Sequence, residues 1–124
     1  MFYVALNQQT FSAILCNTFN KKNTMAVLME FAIFPTDKGK SVSSDVSKVI
    51  KMIKESGFNY QLTAMGTLVE AESVSEVLKI VEKAATILQV DSKRIYSSIK
   101  LDIKPGAINM LEEKVKSIQQ KLQE

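Results

Sequence analysis

Two periods of apolar spacing alternate along the chain, and each change of period marks an element. Residues 26–35, Ala-Val-Leu-Met-Glu-Phe-Ala-Ile-Phe-Pro, form a short apolar run closed by Pro35, the pattern of a buried strand. The polar stretch from Thr36 to Ser44 reads as a loop. Val46, Val49, Ile50 and Ile53 then recur at i, i+3, i+4 and i+7, one apolar helical face. Ser43 or Ser44 is expected to cap this helix, Asp45 sits where the helix dipole favours an acid, and Gly57 ends it. The segments "FNYQLT" and "TLVEA" read as two strands joined at Met65-Gly66, where glycine is expected to supply the positive φ of a tight hairpin. A second helix follows, capped by Ser73 or Ser75, with Val74, Val77, Leu78, Val81, Ala85 and Leu88 as its predicted buried face. From Ile95 the period returns to two. Ile95, Ile99, Leu101 and Ile103 fall on one side and Tyr96, Ser98, Lys100, Asp102 and Lys104 on the other, a strand with one wet face. Pro105-Gly106 breaks it. Beyond it, Ile108, Leu111, Val115, Ile118 and Leu122 draw a narrow seam at heptad spacing on a last helix.

The order strand, helix, strand, strand, helix, strand is the split β-α-β arrangement of the α+β ferredoxin-like fold. It predicts a four-stranded antiparallel sheet with the first and third strands central and both helices on one face. The extra C-terminal helix has two destinations. Its seam pairs with a second copy, the favoured expectation, or folds back over the bare face of its own sheet.

Residues 25–124 read as one domain. Residues 1–24 contain no acid, only Lys21 and Lys22 as charges, and the only cysteine, Cys16. A signal peptide places its positive charge before the apolar segment, and here the lysines come last. The expectation is an N-terminal extension, with Met25 a candidate first residue of the native chain. Without Lys21 and Lys22 the basic count falls from 16 to 14 against 13 acids, so the net charge drops from +3 to +1. The remaining balance shows no basic stripe of the kind nucleic acid requires.

Composition removes several chemistries. Histidine is absent, and with it the commonest general base and metal ligand. With one cysteine and no histidine there is no zinc site, no Cys-His or Ser-His nucleophile pair and no internal disulfide framework. No apolar segment reaches the roughly 18–20 residues of a membrane helix. The expected setting is the cytoplasm, with no membrane partner.

Two carboxylates interrupt apolar strands. If Val27, Met29, Phe31 and Ile33 face the helices, Leu28, Glu30, Ala32 and Phe34 face away, and by the same parity Leu68 and Glu70 face away while Val69 and Ala71 face in. Glu30 and Glu70 then stand on adjacent central strands, with Lys100 and Asp102 on the same face. Such a pair attracts a cation, either a ligand or a neighbouring lysine.

The stretches "MEFAIFP", "GKSVSSDVSKVI", "GFNYQLTAMGTLVEA" and "RIYSSIKLDIKPG" resemble the small thiamine-binding protein family of the ferredoxin-like fold. Met65, Gly66, Thr67 and Glu70 carry the most specific part. One position departs: Ala71 follows the glutamate where the family often has glycine. The resemblance implies non-catalytic binding of thiamine or its hydroxymethylpyrimidine part, no cofactor, and assembly into homodimers or homotetramers. Thiamine joins a cationic thiazolium to an aminopyrimidine. Phe34 and Met65 suit ring contacts, Glu30 or Glu70 the cation or amino group, and Ser43 and Thr67 the ring nitrogens.

Two site geometries remain open at this level. One is the far face of the sheet with Glu30 and Glu70. The other is a pocket between the sheet and the first helix, using Thr67, Ser97 and Ser43, with Glu70 outside it. Alternative functions of the same topology are a regulatory amino-acid-sensing module and a purely structural interaction protein. An RNA-binding module expects exposed aromatics where the central strands carry Glu30 and Glu70.

Overall fold

The computed structural model describes residues 24–124. The expectation that residues 1–24 are an extension therefore concerns a segment that, Thr24 apart, lies outside the described residues. The elements are β1 (Met25–Pro35), α1 (Ser43–Ser56), β2 (Asn59–Leu62), β3 (Thr67–Ala71), α2 (Val74–Gln89), β4 (Ile95–Pro105) and α3 (Met110–Leu122). All strand pairs are antiparallel, in the order β2-β3-β1-β4, so β1 and β3 are central as the ferredoxin-like order requires.

The strand period decides what is buried. Val27, Met29, Phe31 and Ile33 of β1 and Val69 and Ala71 of β3 project to one side. There they pack on Val49 and Ile53 of α1 and on Val77, Ile80, Ala84 and Leu88 of α2. The buried face of α2 differs from expectation: Ile80 and Ala84 are inside and Leu78 is 44% exposed. This helix has adjacent apolar pairs at 77–78, 80–81 and 84–85. Spacing alone leaves the centre of its stripe free to turn, and packing on β1 and β3 fixes it.

Two local expectations change. Neither Ser43 nor Ser44 caps α1. Val42 is the N-cap residue and no side chain caps it, while the Ser43 hydroxyl lies 3.3 Å from that of Ser41. By contrast Ser73 does cap α2. It accepts from the Glu76 N–H at 3.2 Å and donates to the Glu76 carboxylate at 3.1 Å, which also accepts from the Glu72 N–H, a reciprocal capping box. Gly66 is not left-handed; Gly39, Gly57 and Gly106 are. A Cβ on Gly66 would lie 3.0 Å from the carbonyl oxygen of Phe31. Glycine is required there because the hairpin approaches the backbone of β1, not because of the turn.

β4 also differs. Its apolar row is not buried: Ile99, Leu101 and Ile103 are 41%, 37% and 47% exposed. β4 is an edge strand, and the core beneath the helices is drawn from β1 and β3, so both faces of β4 are wet. Loop 36–42 is pinned to the start of this strand. The Lys93 N–H donates to the Asp37 carboxylate at 2.7 Å, and this bond holds the Asp37 pKa below the ordinary carboxylate value. No helix among the described residues is long and apolar enough to cross a membrane.

Candidate functional site

The cavity that could take a ligand lies between the first helix and the sheet, closed on one side by the β2–β3 hairpin. Its volume is about 280 Å³, close to the lower end of the range for small-molecule sites. Each wall follows from an element described above. Val46, Val49 and Ile50 come from the apolar stripe of α1, Phe31 to Phe34 from the end of β1, and Leu62 to Thr67 from the hairpin. None of the lining residues is ionisable.

The hairpin is built by Thr63. Its N–H donates to the Gly66 carbonyl at 2.9 Å, and its hydroxyl donates to the same carbonyl at 2.7 Å. The hydroxyl also accepts from the N–H groups of Met65 and Gly66 at 3.3 and 3.2 Å. This fixes a four-residue loop that carries Met65, 87% exposed, at the tip. Thr67, 5% exposed, stands at the base as the first residue of β3, opposite Phe31.

Of the seven candidate residues, the cavity gathers three: Phe34, Met65 and Thr67. The Phe34 ring is further held by Tyr96, with centroids 5.6 Å apart. Ser43 is exposed and follows the lining residue Val42 without lining the cavity itself. Ser97 faces the helix side, opposite Ile33, yet on the exposed edge strand it does not reach the cavity. Val46, Ile50, Leu62 and Thr63 are lining residues that pattern reading assigned to core or hairpin. The uncovered end of the α1 stripe was the signal for the first two.

Glu30 and Glu70 do share the far face, but in unlike environments. Glu30 is exposed and pairs with Lys100 at 3.6 Å. Glu70 is 2% exposed, because α3 begins directly over it. One carboxylate oxygen accepts from Asn59 Nδ2 at 2.7 Å, and the other from the Met110 N–H at 2.8 Å and the Leu111 N–H at 3.4 Å. Glu70 thus occupies the N-terminus of α3, the place where unsatisfied N–H groups and the helix dipole favour an anion. That answers why a carboxylate sits in a buried strand. It also separates Glu70 from the cavity, as the second of the two geometries supposes. Asp102 on the same face accepts from Lys114 of α3, and this bond lowers its pKa.

Comparison with known proteins places this arrangement. The sequence profile of a family described as thiamine-binding protein matches residues 29–119. A UPF0045 protein of Methanocaldococcus jannaschii is 36% identical over 92 residues, covering 74% of this chain and 91% of that one. The crystal structure of a hypothetical protein from the same organism superposes with a TM-score of 0.69 at 35% identity, covering 76% of this chain and 96% of the other. A proposed thiamine biosynthesis/salvage protein from Thermotoga maritima superposes with a TM-score of 0.66 at 26% identity, covering 75% and 98% of the two chains.

Proposed function

Because this chain belongs to the thiamine-binding protein family, we propose that it binds thiamine, or the hydroxymethylpyrimidine part of thiamine, in the cavity between α1 and the hairpin, without catalysis and without a further cofactor. The observation that carries the reading is the lining itself: apolar side chains, a threonine at the base and no ionisable group. A neutral aminopyrimidine ring loses little on entering such a space, since its edges can pair with the Thr67 hydroxyl and the hairpin backbone. The thiazolium cation would lose its hydration without gaining a carboxylate, a costly transfer. The ring therefore enters and the cation stays at the mouth, where Met65 is exposed and its thioether can lie against an aromatic face. An amino acid brings two charges, and the lining offers a partner to neither, which disfavours the sensing module. The volume of about 280 Å³ suits one substituted ring better than the whole vitamin. The reading includes self-association as a homodimer or homotetramer, supported by apolar surface left open on β4 and α3.

Calorimetry tests the ligand half. Thiamine and free hydroxymethylpyrimidine are expected to bind with comparable affinity, because the ring supplies the buried contacts. Thr67→Val is expected to weaken both by about 0.5–1.5 kcal/mol, the worth of one neutral hydrogen bond. Absence of heat with both compounds, or tighter binding of amino acids than of either, would refute the proposal.

A further inference from the structure

β1 outruns one of its two neighbours. Its register with β4 continues to Pro35, whereas its register with β3 ends where Phe31 meets Thr67. Beyond Phe31 the strand has an open edge, because the hairpin turns away from it. The Thr63 N–H donates to the Gly66 carbonyl on the β2 side, and Met65, which a continued register would set opposite Ile33, stands at the exposed tip. The cavity lies along this edge. Its lining includes the consecutive residues Phe31, Ala32, Ile33 and Phe34. A strand shows only every second side chain to either face, so four in a row mean that the cavity meets β1 edge-on.

What the edge presents follows from the ladder. In an antiparallel sheet each residue turns both its N–H and its C=O toward one neighbour, and the next residue turns both toward the other. At one end of the β1–β4 ladder the Thr36 N–H donates to the Arg94 carbonyl at 2.9 Å, and at the other the Gly106 N–H donates to the Thr24 carbonyl at 2.7 Å. Even-numbered residues of β1 therefore bond to β4, and odd-numbered ones turn toward β3. The close approach at Gly66 agrees, since it is the Phe31 carbonyl oxygen that a Cβ there would meet. Ile33 is the next odd-numbered residue. Its N–H and C=O both point past the end of β3 into the cavity, and among the described residues neither has a hydrogen-bond partner. Ile33 is 6% exposed, and buried main-chain groups are almost always paired. Pro35, the odd-numbered residue after it, has no N–H, so Ile33 alone offers a donor and an acceptor together.

We propose that the main chain of Ile33 reads the ligand ring: its C=O accepts from the exocyclic amino group of the pyrimidine, and its N–H donates to the adjacent ring nitrogen. An aminopyrimidine carries that donor and that acceptor side by side on one edge. A partner residue in a bonded strand pair presents its own N–H and C=O in the same way, so the ring extends β3 by one residue. One residue of open edge suffices for a ring and is too short for a pairing peptide. The selected chemistry is an amino donor next to a ring acceptor. A ring with a carbonyl oxygen in place of the amino group reverses the order and sets oxygen against the Ile33 oxygen. A ring without the amino group leaves that oxygen unpaired. This inference rests on the ligand reading above and names the group that recognises the ring.

Nuclear magnetic resonance and calorimetry on the full chain test it. In the free protein the Ile33 amide is expected to exchange faster than that of Phe31, which faces Thr67 in the ladder. Saturation with hydroxymethylpyrimidine is expected to slow Ile33 exchange about tenfold or more. The oxo counterpart and the ring lacking the amino group are each expected to bind about tenfold or more weakly than hydroxymethylpyrimidine. Ile33→Pro removes the N–H without removing a bond to β4, and is expected to weaken binding about tenfold. The amide and analogue arms stand even if that variant does not fold. A free protein whose Ile33 amide is as protected as that of Phe31 would overturn this inference and leave the ligand proposal standing. So would hydroxymethylpyrimidine that binds without protecting Ile33 and no more tightly than its oxo counterpart. Absence of binding by both thiamine and hydroxymethylpyrimidine would strike the ligand proposal, and this one with it.

Discussion

Replacing Glu70 with glutamine changes one atom and separates a structural role from a ligand role. Its carboxylate accepts on both oxygens: Asn59 Nδ2 at 2.7 Å on one side, and the Met110 and Leu111 N–H groups at 2.8 and 3.4 Å on the other. A glutamine side chain keeps one acceptor and turns the other into a donor, so one side must face an N–H with an N–H. Asn59 can rotate or turn to water at the exposed edge of β2, whereas the N–H groups of a helix terminus cannot move without the helix. The substitution also removes the negative charge from that terminus. A hydrogen bond to a charged partner contributes about 1.5–3 kcal/mol, and the neutral amide retains part of this at best. The expected loss is therefore local, about 1.5–3 kcal/mol in the docking of α3. The readout is amide hydrogen exchange at Met110 and Leu111, which should accelerate roughly 12- to 150-fold. Amides in the β1 ladder, such as Phe31, should change much less, since the cluster that β1 and β3 form with α1 and α2 does not include α3. Thiamine affinity should stay within about threefold, well under the tenfold that 1.4 kcal/mol represents. Unchanged exchange at Met110 and Leu111 would refute the account of α3 docking. Unchanged exchange together with lost thiamine affinity would place Glu70 in the ligand site.

Gly66→Ala is expected to lower stability by about 1–3 kcal/mol, the usual cost of overpacking, because its Cβ would meet the Phe31 carbonyl at 3.0 Å and push the hairpin off β1. Thermal denaturation measures it, and an unchanged melt would show that the hairpin has slack. Ser73→Ala should cost about 0.5–2 kcal/mol in urea unfolding, since it removes the cap of α2 and one arm of the box with Glu76. Asp37→Asn tests the loop staple through pH. The folded-state pKa of Asp37 is depressed, chiefly by the Lys93 N–H, so its contribution to stability is present above the ordinary carboxylate pKa of about 3.9 and is lost as pH falls through the folded value. The melting temperature of the parent should exceed that of the variant at neutral pH, and the gap should close below about pH 4. A gap that persists into acid would mean that the charge is not what the loop uses.

The sequence by itself determined the order of elements and the faces of the two central strands. A two-residue period admits only two faces, and Val27, Met29, Phe31 and Ile33 could not all be buried unless Leu28 and Glu30 turned away. The hairpin and the Ser73 cap were legible because each is a local interaction within a few residues. What required the tertiary structure involved contacts between residues far apart in the chain. The need for glycine at 66 comes from Phe31, the open apolar row of β4 from where the helices settle, and the centre of the α2 stripe from its packing on β1 and β3. Glu70 shows the division most clearly. Its place on the far face follows from parity. Its partner follows only from α3 starting 40 residues later directly above it, and a helix terminus carries no side-chain signature that a carboxylate on a distant strand could be matched to. The cavity is likewise a tertiary product: a stripe on α1, the end of β1 and the hairpin tip enclose a space that no single segment describes.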